Sequence, residues 1–186
     1  MTLELEKVKE YASLMKESYS NNGGNLPEGW ALVTTSDELG FSQNGYYGML
    51  CKNEATGELG LIHRGTEVGN GFLGIITNTD FRDIGSDIEL GLSNSISNQI
   101  EMAKGFAEAI KNMEGIDYSK VKNLGHSLGG YLSDIVEVTV SGGAGSFTIN
   151  APGVKNILPK LEEYFGVEEG TYANQDFDNI INFDAA

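Results

Sequence analysis

The run GHSLGG at residues 125–130 sets Ser127 in a G-x-S-x-G pattern. A serine so placed can attack an acyl carbon when it sits on a sharp strand-to-helix turn. KVKNL (120–124) reads as the short strand leading in, and LGGYLSDIVEV (128–138) as the helix leading out. The glycines relieve crowding between that strand and that helix. The helix N-terminus and the amide of Leu128 would stabilise negative charge on a substrate oxygen. In a chain with 25 glycines the bare pattern also fits an ordinary turn. The strand-to-helix context favours a nucleophile elbow, with Ser127 as the catalytic candidate.

A second strand end carries matching chemistry. GLIHRGTE (60–67) finishes in Arg64-Gly65-Thr66, where Thr66 offers an amide and a hydroxyl as further oxyanion donors. TINAPGV (148–154) follows another strand and lines the same sheet edge. Only two histidines exist. His63 belongs to the strand before Thr66, and His126 adjoins Ser127. Neither is placed to take the serine proton in the geometry a triad demands. Asp184 reads as a strand-end carboxylate.

Other patterns carry less. Gly69-Asn70-Gly71-Phe72-Leu73-Gly74 matches G-x-G-x-x-G, but IITNTDFRDIG after it opens no convincing helix, which argues against a dinucleotide site. Asp80, Asp83 and Asp87 lack the spacing of an EF-hand loop. No His/Cys cluster points to zinc. The expectation is therefore no cofactor and no metal.

The elements that must position these groups follow from periodicity. Val8, Tyr11, Ala12, Met15 and Tyr19 predict an amphipathic helix over 3–19, stopped by NNGGNLPEGW. WALVT (30–34), YYGMLC (46–51) and LGLIH (59–63) read as strands, the last two joined as a hairpin through KNEATGE. Residues 65–95 are weakly periodic; a segment of that length is usually functional or mobile. Ile96, Ile100, Ala103, Ala107 and Ile110 form one apolar stripe, a helix whose stripe reads as core packing. AGSFTI (144–149) and NIINF (179–183) are strands, and LPKLEEYF (158–165) is a helix with Pro159 near its start. Strands alternating with helices predict parallel pairing in an α/β sheet.

Composition sets the limits. The length, 186 residues, fits one domain over 1–186 with a real core. The net charge of −15 provides no basic footprint for nucleic acid and fits a solvated surface. The single cysteine, Cys51, excludes an intrachain disulfide. The charged N-terminal run has no apolar core of a signal peptide, and no stretch is long enough to span a membrane. A cytoplasmic location, or export by a route without such a signal, is expected.

HRGT, GHSLGG and NAPG, in this order and spacing, resemble the class 3 (fungal-type) lipases, and more closely their bacterial lipase-like relatives. The likeness covers nearly the whole chain. It implies an α/β-hydrolase-like fold: a mostly parallel sheet with an N-terminal antiparallel hairpin and helices on both faces. It implies hydrolysis of carboxylic esters of lipid or acylglycerol type, with no cofactor. Ser127 matches the nucleophile, Thr66 and the amide of Leu128 the oxyanion hole. The segment after Thr66 lies where the family often carries a lid. The family's catalytic acid and histidine come after the strand matching NIINF, so the resemblance places both beyond residue 186, in a longer parent chain. The rival expectation is a truncated or inactive relative that binds a ligand or partner without turnover. Either way, an exposed sheet edge beside NIINF would favour self-association.

Overall fold

The computed structural model describes residues 5–20, 24–64 and 94–184. Six strands form one sheet whose spatial order is their chain order: β1 (Trp30–Thr35), β2 (Tyr47–Asn53), β3 (Leu59–Arg64), β4 (Val121–His126), β5 (Ser146–Ile149) and β6 (Ile180–Phe183). β1 to β3 pair antiparallel, and β3 to β6 pair parallel. The predicted hairpin is β2–β3, turned through residues 53–58. The Asn53 side chain holds that turn by accepting from the amides of Ala55 (3.0 Å) and Thr56 (3.1 Å).

The helices are α1 (Leu5–Glu17), α2 (Ser36–Leu39), α3 (Asn94–Lys111), α4 (Leu128–Thr139) and α5 (Leu158–Phe165). They cover both sheet faces, because side chains alternate along each strand. Leu59 and Leu61 of β3 and Val121 of β4 pack with α3, α4 and α5. Ile62 and Leu124, one position out of step with them, pack with Tyr11, Leu14 and Met15 of α1. The stripe on α3 is core: Ile100, Ala103, Ala107 and Ile110 are all buried. The side chain of Ile96 lies outside the described residues. α1 ends at Glu17, so Tyr19 falls in the 3-10 turn after it, and Leu14 joins the buried face.

Charge fastens α1 to the hairpin. Lys7 pairs with Glu10 (3.0 Å) and Glu58 (2.5 Å), and Glu58 also accepts from the Tyr11 hydroxyl. β6 closes one end of the sheet, with Phe183 44% exposed there. Among the described residues, no helix is long and apolar enough to cross a membrane.

Candidate functional site

β4 runs two residues further than the sequence suggests, to His126, and α4 begins at Leu128. Ser127 alone makes the corner. Its backbone sits at φ 54° and ψ −123°, a region that residues with a Cβ rarely occupy. The corner is pinned on both sides. The Ser127 amide donates to the Ile149 carbonyl of β5 (2.9 Å), and its carbonyl accepts from the Tyr131 amide (3.0 Å). Its side chain makes no capping hydrogen bond to α4. Ser127, 6% exposed, thus stands at a helix N-terminus with its hydroxyl not consumed by the helix it precedes.

Two glycines make the corner possible. A Cβ on Gly125 would sit inside the Gly129 carbonyl, and one on Gly129 inside the His63 carbonyl. Strand β4, helix α4 and the end of β3 therefore meet backbone to backbone. This contact sets the first turn of α4 against the end of β3. Thr66 lies outside the described residues, as do the G-x-G-x-x-G run and Asp80, Asp83 and Asp87.

Strain at Ser127 can be measured apart from chemistry. Ser127→Gly is expected to raise stability by about 1–3 kcal/mol, because glycine occupies that backbone region at little cost. Loss of glycine's extra freedom in the unfolded chain offsets part of the gain. Chemical denaturation checks it. A destabilised variant would mean that the corner is relaxed.

The two histidines lie on opposite sheet faces. His63 is sealed on the α4 side. The Tyr46 hydroxyl donates to its Nδ1 (2.9 Å), and its Nε2–H donates to Asn123 Oδ1 (3.2 Å). The Asn123 amide donates in turn to Glu137 Oε2 (2.9 Å), and Asn179 donates to Glu137 Oε1 (2.8 Å). Each donor points toward the Glu137 carboxylate, which fixes His63 as a neutral ring protonated at Nε2. Burial drives its pKa down to about 4, against a smaller opposing effect of Asn123. His126 follows Leu124 by two positions and so faces the α1 side; burial lowers its pKa to about 4 as well. Asp184 is an exposed strand-end residue that accepts from Asn182 Nδ2 at 3.4 Å.

Arg64 ends β3 on the α1 side, its guanidinium donating to the Ser18 carbonyl (3.1 Å) and stacking 4.8 Å from the Tyr47 ring centre. It anchors the strand end from which Gly65 and Thr66 continue. What the sequence did not disclose lies inside α4. Residues 129–138 of that helix are all buried, so Asp134 and Glu137 are interior carboxylates. The signal was present: YLSDIVEV is apolar on more than one helical face, as in a helix packed all round.

The sheet order, the antiparallel hairpin feeding a parallel half, and the β4–Ser127–α4 corner define an α/β-hydrolase-like fold. No protein-family model and no curated protein matches the sequence. In structure the chain is similar to the Lip2 lipase from Yarrowia lipolytica. The TM-score is 0.50 at 16% identity, over 98% of this chain and 72% of that one. At such identity the likeness establishes a lipase-like α/β architecture; the reaction has to be argued from the site.

Proposed function

We propose that the 186 residues form one lipase-like domain whose chemistry is hydrolysis of carboxylic esters, of lipid or acylglycerol type, through an acyl-enzyme on Ser127. The observation that carries this reading is the strained Ser127 corner, with an unengaged hydroxyl at the N-terminus of α4. In the first step Ser127 Oγ bonds to the ester carbonyl carbon and gives up its proton to a base. The carbonyl oxygen becomes an oxyanion, stabilised by the Leu128 amide and by Thr66. Collapse expels the alcohol, which regains a proton, and water then releases the acid.

The base is a group other than His63 or His126. One is locked in the Tyr46–Asn123–Glu137 chain, and the other points to the opposite face. That same observation favours a second reading, a domain that binds its ligand without turnover. Free imidazole separates the two. With p-nitrophenyl esters of graded chain length, and after subtraction of imidazole's own reaction with the ester, the hydrolase reading expects slow release of about one equivalent of nitrophenol, accelerated by added imidazole and absent from Ser127→Ala. Binding of the esters without any release would favour the second reading.

Thr66 is testable by itself. If its hydroxyl donates to the oxyanion, Thr66→Ala lowers the acylation rate by about 10²–10³ with little change in KM. An unchanged rate leaves at most the amide in that role. The β6 edge, with Phe183 outward, supports pairing with a second copy. Sedimentation velocity should then show concentration-dependent dimers that Phe183→Lys removes; monomers at every concentration would refute the pairing.

A further inference from the structure

A cavity of about 350 Å³ lies between α4, the loop after β5 and β6, with neither Ser127 nor Leu128 in its wall. Pro152, Val154, Ile157, Phe177 and Ile180 make most of that wall apolar, and Asp134 is its interior charged group. Asp134 is 2% exposed. Its Oδ1 accepts from the Ser146 hydroxyl at 2.6 Å. Among the described residues that is the only hydrogen bond to the carboxylate, and its other oxygen has none.

A buried carboxylate with half its acceptor capacity unused is unfavourable unless something else meets it. Of the other polar side chains in the wall, Asn156 is exposed and Asn182 is already engaged. Asn182 Oδ1 accepts from Thr148 Oγ1 and the Ala151 amide, both at 3.1 Å, and its Nδ2 donates to the Ala151 carbonyl at 3.0 Å. Lys155 is exposed at the rim, its ammonium 5.4 Å from the Phe177 ring centre. An unsatisfied acceptor at the end of an apolar pocket selects a donor that carries positive charge. The net charge of −15 concentrates such cations near the surface.

We propose that this cavity binds a small organic ammonium ion, its charged end on Asp134 and its apolar body against Val154, Ile157, Phe177 and Ile180. The proposal is independent of Ser127. Burial, opposed by the Ser146 hydrogen bond and reinforced by Glu137, pushes the Asp134 carboxyl up to about 7. A carboxyl with a raised folded-state pKa stabilises the fold at low pH, and that contribution is lost as pH rises through about 7. Asp134→Asn keeps an acceptor for Ser146 and removes the charge. It is therefore expected to fold, and at about pH 8 to be no less stable than the parent.

The experiment is a titration followed by ¹⁵N–¹H NMR at about pH 8, where Asp134 is mostly ionised. The probes are phenethylammonium, 2-phenylethanol and 3-phenylpropionate. Phenethylammonium should shift the amides of Asp134, Val154, Phe177 and Ile180, and Asp134→Asn should weaken it by about tenfold to a hundredfold. Ile180→Trp, which fills the cavity and leaves Asp134 intact, should weaken it too. Absence of shifts at those amides, or undiminished binding by both variants, overturns the site. Equal or tighter binding of the alcohol or the carboxylate overturns the ammonium class.

Discussion

Ser127→Ala is expected to abolish acylation, and with it any stoichiometric release of nitrophenol. Where a general base is in place, loss of the nucleophile in comparable hydrolases costs on the order of 10⁶ in kcat. Without such a base, oxyanion stabilisation and binding alone leave about 10³–10⁴ over water. The 186-residue chain should accordingly acylate slowly and turn over poorly, since His63 is held by Tyr46 and Asn123 and His126 alternates to the opposite sheet face. The variant should remain folded, because the amide and carbonyl of residue 127 keep their bonds to Ile149 and Tyr131. A stable Ser127→Ala protein that still releases nitrophenol at the parent rate would move the chemistry elsewhere. Robust parent turnover lost in His63→Ala or His126→Ala would show that one of those rings is the base after all.

Gly129→Ala is expected to destabilise the protein by about 3 kcal/mol or more, through overpacking against rigid backbone. Two effects oppose each other here. Residue 129 lies in the first turn of α4, where alanine would gain up to about 1 kcal/mol of helix propensity over glycine. The added Cβ, however, meets the His63 carbonyl oxygen and carbon, with Arg64 Cα 3.3 Å away. None of these is the end of a flexible side chain, so β3 or α4 has to move. The steric effect wins by this reckoning. Urea unfolding with intact and variant protein decides it, and a variant of equal or greater stability would mean that β3 and α4 do not meet as closely as described.

The strand–serine–helix corner was legible because its requirements are local. A strand, a serine between glycines and a helix are contiguous in 120–138, and the structure differs mainly in running β4 to His126. The β2–β3 hairpin and the α3 stripe were legible for the same reason. α2 was not anticipated, although Thr35 and Glu38 form a capping box that the sequence displays. At four residues it carries no periodicity to announce it. The site's supporting groups were hidden by distance along the chain. His63 bonds to Asn123, 60 residues away, and Asn179 reaches Glu137 across 42. Asp134 looks like a solvated helix carboxylate until β5, β6 and the loop after β5 close over it. Thr66, read from the sequence as an oxyanion donor, lies outside the described residues and rests on the resemblance.

Prolonged labelling with a fluorophosphonate, mapped by mass spectrometry of the digested protein, tests the role of Ser127 most directly. The reagent forms a stable phosphonyl ester on an activated serine and on few others. A single adduct on Ser127, absent from Ser127→Ala, is the predicted result. An adduct on a different serine, or none on Ser127 after labelling in the presence of imidazole, would contradict it.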